Sequence, residues 1–267
     1  MFAEINIDIS HLIRSVCATL PEGRKIHVMG TIQFRNAVSQ VAQELTKSNR
    51  PCTIPQSKPL SPGEVLGCTA PQIPFNCDDE NETKPVILFI SDGRFHLEAA
   101  MIANPNLPTL RYDPYGKVLS HEYYEYPKML KIRHDAVQKA RKATNWGIIL
   151  GTLGRQGNPS ILLQVKKLLK GKNTFVFLLS EIYPAKLKLF TDVQAWVQIA
   201  CPRLSIDWGH FFHAPILNSY ELQQCLLSSS RDEGSLFDEY PMDYYSKDTR
   251  VPWGNYHESN KLRCSKS

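Results

Sequence analysis

The sequence predicts an α/β protein of two similar domains, each a mostly parallel sheet flanked by helices. Three observations point there. Short runs rich in Val and Ile alternate with longer segments of helical periodicity, the pattern of βα units. The two halves of the chain carry a weak internal repeat. The length of 267 residues allows one large domain or two of ordinary size, and the repeat selects two.

In order along the chain, strands are expected near 3–8, 26–30 and 86–90, and helices over 10–19, 33–47 and 96–103. The segment RYDPY (111–115) should end the first half as a turn, with Tyr112 and Tyr115 partly buried. The charged stretch 120–143 reads as a connecting helix, so the domains are 1–119 and 120–227. In the second, strands near 146–150, 174–179 and 195–200 alternate with helices over 159–170 and 184–190. Residues 228–267 shift to Ser, Asp, Tyr and Lys without periodicity and are expected to be a loosely ordered tail. Tyr240, Pro241, Met242, Tyr244 and Tyr245 could dock that tail on a neighbouring surface.

The repeat pairs HVMGTIQF and a later VLGCT with IILGTLGRQG and a later QIACPR. In each half an apolar strand ends in Gly-Thr, a helix follows, and a later strand ends in a small residue and Cys. If the halves share a fold, Cys68 and Cys201 occupy equivalent places at the carboxyl end of a strand. Loops and helix N-termini converge on ligands there in α/β sheets. SDGRFH (91–96), after the strand VILFI, and GTLGRQG (151–157), after WGIIL, are expected at the same kind of edge.

Charge and composition exclude some classes. A net charge of +5 suits an acidic or ribonucleoprotein partner but falls short of the basic density of a direct nucleic-acid binder. The cluster Lys166, Lys167, Lys170, Lys172 reads as the wet face of a helix. No apolar run approaches the ~20 residues of a membrane span. The start, MFAEINIDISHL, carries Glu4 and Asp8 where a secretory signal needs basic and then apolar residues. The seven cysteines are odd in number and scattered, so a reducing cytoplasm is the expected compartment.

Each candidate site residue has a bland counterpart. A cysteine alone is commonly a small core hydrophobe, and no C-x-x-C is present to support a zinc ribbon or a thioredoxin-type site. Two thiolates at equivalent strand ends could instead converge on one soft metal centre, though two are too few to close it. Cys17, Cys52, Cys77, Cys225 and Cys264 occupy no repeated position. GTLGRQG is neither a dinucleotide fingerprint nor a Walker A loop. It is a tight strand-to-helix turn or, with Gly154, Arg155 and Gln156, a cradle of N–H groups for a carboxylate or phosphate. In SDGRFH, Arg94 and His96 could meet a substrate carboxylate, or Asp92 caps the next helix and pairs with Arg94. In CPRLSIDWG, Arg203 and Asp207 could bind a ligand or form a structural ion pair beside Cys201.

PQSKPLSPGEVLGCT (55–69), SDGRFHLEAAMIANPN (91–106), RYDPYGKVLS (111–120), GTLGRQG and CPRLSIDWG together resemble the diphthamide-synthesis enzyme family, with the likeness running from about residue 2 to residue 245. The resemblance implies three similar α/β domains about a pseudo-threefold axis, each giving one cysteine to a [4Fe–4S] cluster. The second and third ligands fall on Cys68 and Cys201. It implies that S-adenosylmethionine binds the open iron, and that its 3-amino-3-carboxypropyl group passes to C2 of a histidine in elongation factor 2. Gly154, Arg155, Gln156 and Arg94 are expected to line its pocket. A paralogous second subunit, elongation factor 2 and an electron-donating protein are the expected partners. The chain starts at what corresponds to the family's second domain, so the first domain and its cysteine are expected to be absent. Two alternatives stay open at this point: a cluster dehydratase of the quinolinate synthase type, and a non-catalytic module that keeps only its docking surface.

Overall fold

The protein is described by a computed structural model, which covers residues 5–75, 84–154, 156–227, 237, 239–249 and 251–257. The chain forms two compact units, one reaching to Tyr124 and joined by Pro241–Thr249, the other holding Glu125–Tyr240 and the residues from 250 onward. The first unit therefore closes after Tyr124 rather than 119, and the far C-terminal stretch is shared out between the two.

In the first unit, α1 (Ile9–Thr19) starts at Asp8, whose carboxylate accepts the His11 N–H at 3.0 Å. The buried Arg50 guanidinium closes its far end, donating to the Cys17 carbonyl of the last turn and to the Leu20 and Pro21 carbonyls just beyond it. There follow β1 (Ile26–Gly30), a 3-10 turn (Ile32–Phe34), α2 (Arg35–Lys47), the two-residue β2 (Cys52–Thr53), β3 (Val86–Ile90), α3 (Phe95–Ala103), β4 (Thr109–Asp113) and β5 (Val118–Glu122). The sheet order is β2-β1-β3-β4-β5, parallel except for the β4–β5 hairpin. Every residue of β1 and β3 is buried, as expected of central strands covered on both faces. Helix α2 seats the stripe Ala37, Val38, Val41, Leu45 in one core cluster with α1 and the strands.

The second unit opens with α4 (Tyr126–Arg141) and continues through β6 (Asn145–Gly151), α5 (Pro159–Leu168), β7 (Asn173–Leu179), the short α6 (Pro184–Leu187), β8 (Ala195–Ile199), α7 (Arg203–Trp208), a 3-10 turn (Gly209–Phe211), β9 (Ile216–Leu217) and α8 (Ser219–Leu227). Its all-parallel sheet has the order β7-β6-β8-β9. That order repeats β2-β1-β3-β4, so the two-domain, mostly parallel reading holds at the level of topology.

Four expectations change in detail. Residues 5–8 pair with no strand; Ile5, Ile7 and Ile9 instead lay their alternating apolar side chains against the core cluster. RYDPY is not merely a turn, because its first three residues end β4. Tyr112 is wholly buried and Tyr115 is 64% exposed, while Asp113 accepts the Tyr115 and Gly116 N–H groups to turn the hairpin. The helix expected over 120–143 begins only at Tyr126, since Val118–Glu122 pairs with β4. The docking residues of the far C-terminal stretch are placed firmly: Tyr240, Met242 and Tyr244 are all buried.

The fourth change concerns the cysteines. Cys201 directly follows β8 by two residues, but Cys68 ends no strand; it lies in the long connection between β2 and β3. By strand order β3 corresponds to β8, so the counterpart of the Cys201 loop is SDGRFH and not VLGCT. The equivalence of the two cysteines within the repeat is therefore corrected. Gly30 and Gly151 do match, each ending the first strand of its unit.

Candidate functional site

In the first unit the Cys68 loop is laced across the carboxyl end of β1. Gly30 N–H donates to the Gly63 carbonyl at 2.9 Å, and Val65 N–H donates to the Gly30 carbonyl at 3.2 Å. Gly63 sits at φ +76°, a conformation that favours glycine. Leu66 and Thr69 then exchange backbone hydrogen bonds at 2.9 and 3.3 Å, closing a tight turn with Gly67 and Cys68 at its apex. A side chain at Gly67 would collide with the ring of Phe95, so the turn rests on the first residue of α3. Cys68 and SDGRFH thus share one sheet edge even though they are not topological equivalents. Cys68 itself is 7% exposed.

Arg94 lies at that edge with its guanidinium engaged. It donates to Glu122, pairs with Glu98 at 3.4 Å, and donates to the Tyr123 carbonyl at 3.0 Å. Glu122 is also held by Arg111 at 2.9 Å. Asp92 neither caps α3 nor pairs with Arg94; its carboxylate accepts from Gln33.

In the second unit GTLGRQG leaves β6 and returns to α5. Thr152 N–H donates to the Leu179 carbonyl at 2.9 Å, Gly154 takes φ +61°, and Asn158 caps α5 by accepting the Ser160 N–H. A side chain at Gly157 would strike the Gly151 carbonyl oxygen, so the loop closes on itself and only glycine fits. Gly154 and Gln156 are exposed, whereas Arg155 lies outside the described residues. Gly151 in turn backs directly on Ala200, the residue before Cys201. The Gly-rich loop and Cys201 are therefore neighbours at the carboxyl edge of this sheet.

Cys201 is part-buried, and burial pushes its thiol up. The N–H groups of Arg203 and Leu204 and the Arg203 charge oppose that shift by favouring the thiolate. Arg203 is itself 2% exposed and locked to Asp207 by contacts of 2.9–3.0 Å, the structural ion pair among the two readings. A residue that the sequence reading missed holds the backbone here. Gln198, 1% exposed, donates its amide to the Cys201 carbonyl and to Ser205 Oγ, both at 3.0 Å. A glutamine inside the apolar strand AWVQI was the available signal.

Among the described residues no group of three or more His, Cys, Asp or Glu side chains gathers as a metal site. Each unit offers one thiol beside one unusual loop. Lys166 and Lys167 are exposed in the last turn of α5, but Lys170 and Lys172, also exposed, lie in the turn between α5 and β7, so the four lysines are not one helix face. Among the described residues no helix is long and apolar enough to cross a membrane.

Comparison with known proteins adds the following. The family model described as "Putative diphthamide synthesis protein" matches residues 1–235. The 2-(3-amino-3-carboxypropyl)histidine synthase subunit 1 of Dictyostelium discoideum is 47% identical over 259 residues, covering 96% of this chain and 54% of that protein. Its Mus musculus namesake is 48% identical, with 95% and 55% covered. The chain thus spans about half the length of the curated relatives it matches. A crystal structure of Dph2 from Pyrococcus horikoshii with a 4Fe-4S cluster superposes with a TM-score of 0.66 at 25% identity, covering 90% of this chain and 66% of that one.

Proposed function

This chain belongs to the diphthamide synthesis protein family, and from that membership we propose that it serves the first step of diphthamide formation. In that step the 3-amino-3-carboxypropyl group of S-adenosylmethionine is transferred to C2 of a histidine imidazole in elongation factor 2. The observation that supports this most is the pairing, in each unit, of one buried or part-buried thiol with an unusual loop at the same sheet edge.

The donor chemistry fits a [4Fe–4S] cluster as two of its ligands. Thiolates are what such clusters require, and hydrogen bonds to the sulfur tune them. Cys201 has N–H groups directed at its sulfur, and Cys68 sits on a turn apex formed with a glycine. When bound, the cluster supplies the electron that breaks the S–Cγ bond of S-adenosylmethionine. The resemblance assigns a third thiolate, which no described residue provides.

The protein's own residues bind and orient. The exposed residues Gly154 and Gln156, with Arg155, would hold the carboxylate of S-adenosylmethionine at the end of β6. Arg94 would join that pocket only by exchanging Glu122 for the substrate carboxylate. The proposed partners are a paralogous second subunit, an electron-donating protein and elongation factor 2, met in the cytoplasm.

Anaerobic reconstitution with iron and sulfide, with and without the second subunit, tests the reading. Cluster absorbance that disappears in Cys68→Ala and in Cys201→Ala is expected. With dithionite, S-adenosylmethionine and elongation factor 2, the modified histidine should then appear. A cluster that survives the double substitution would show that the ligands lie elsewhere. A cluster that forms but leaves S-adenosylmethionine intact would favour a Lewis-acid dehydratase.

A further inference from the structure

The stretch Pro241–Thr249 packs with the first unit, and its bonds there converge on one place. The Met242 carbonyl accepts the Ala70 N–H at 2.8 Å, and Tyr244 N–H donates to the Cys68 carbonyl at 3.4 Å, so Asp243 bridges Thr69 as an antiparallel pair. Tyr245 N–H donates to Thr69 Oγ1 at 2.9 Å, and Thr69 is fully buried. Farther along, Lys247 N–H donates to the Lys58 carbonyl at 2.7 Å, and the Asp248 carboxylate accepts the Lys58 N–H at 2.8 Å. Met242 and Tyr244 are buried over the same loop. Three consecutive residues of the cysteine turn, Cys68, Thr69 and Ala70, are thereby each bonded to the C-terminal stretch.

Loops have no ladder of their own and take a single conformation only when something outside them satisfies their backbone. Here part of that support comes from residues more than one domain away in sequence. We infer that residues 242–245 are a strap that positions the Cys68 turn, with Thr69 as the positioning residue that receives it. Thr69 and Tyr245 would not touch substrate; they act by fixing where the sulfur sits. The inference rests on the reading of Cys68 as a cluster ligand, but the strap itself can be tested without iron.

Alkylation of each cysteine in the native full chain, followed by peptide mass spectrometry, reads the strap directly. Tyr245→Pro removes the N–H donor, Thr69→Val removes its acceptor at nearly constant shape, and Tyr245→Ala keeps the N–H as a control. Cys68 labelling should quicken by about tenfold in the first two, equivalent to about 1.4 kcal/mol of local opening. It should stay within about twofold in Tyr245→Ala, and Cys225 in the other unit should stay slow in all three. Should the proline unfold the chain, so that every cysteine quickens together, Thr69→Val alone decides. A Cys68 rate in Thr69→Val equal to the parent's overturns the strap. Reconstitution separates the two claims. If Thr69→Val quickens Cys68 while Cys68→Ala leaves the iron content unchanged, the strap stands and the ligand reading falls. If both substitutions lower bound iron, both stand.

Discussion

His27 lies on β1 with 6% of its surface exposed, and its Nδ1 is within 2.7 Å of Thr53 Oγ1 on the neighbouring strand. Burial, with help from Lys25, pushes its pKa down from 6.5 to about 4. The folded protein therefore refuses a proton that the unfolded chain accepts between those values. Its contribution is complete above pH 6.5 and is lost as pH falls towards 4, a change of about 3 kcal/mol. Urea denaturation at pH 7 and pH 4.5 should show His27→Gln with a clearly flatter pH dependence than the parent. Equal slopes would mean that His27 is not the buried titrating group. From its sequence, HVMG read as a buried strand, but nothing in it said that the histidine would be dry. The same holds for Thr69, whose hydroxyl oxygen accepts from Tyr245 far along the chain, whereas Gln198 finds its partners close by, at Cys201 and Ser205.

At the scale of elements, α4 and α8 are joined by a pair that periodicity alone would have rejected. Arg133 occupies the stripe Met129, Arg133, Val137, Ala140 that α4 buries. Arg133 and Glu221 are both fully buried, with contacts of 2.6 and 2.8 Å, and the guanidinium also donates to the Ile216 carbonyl at 2.7 Å. Glu221 accepts in addition from Tyr240 and from the Asn218 N–H. Breaking such a pair strands a charge, so Arg133→Met should cost the second unit about 3–5 kcal/mol by denaturant unfolding. Arg133→Lys, unable to form the fork, should recover little of it. Adding Glu221→Leu to Arg133→Met should return part of the loss, and a merely additive double variant would contradict the coupling. The hairpin β4–β5 is the element that sequence patterning misread. In its strand β5 only Val118 and Leu119 are apolar and the one buried residue is the charged Glu122, so it lacked the apolar run that announced β1, β3 and β6.

Over the whole molecule, the distribution of thiols is a readable map of burial. Cys17 on α1 is exposed, while burial pushes the Cys52 and Cys225 thiols up to about 11. Among the described cysteines, native labelling at pH 8 should therefore modify Cys17 first and Cys52 and Cys225 last. Cys225 reacting as fast as Cys17 would show that the α4–α8 packing is open in solution. The amino-acid sequence by itself determined the α/β class, the central strands, most helices, the two-unit organisation and the family. Those rest on local periodicity and on long motifs, which are properties of consecutive residues. It also placed Cys201 beside a strand end and GTLGRQG between β6 and α5. Only the tertiary structure decided that Cys68 rides a turn between β2 and β3 and is not the topological twin of Cys201, and that residues 242–245 pin that turn. It alone showed Arg94 engaged by Glu122. Each of these depends on hydrogen bonds between segments far apart in the chain, whose partners are chosen by packing and leave no periodic trace in either segment.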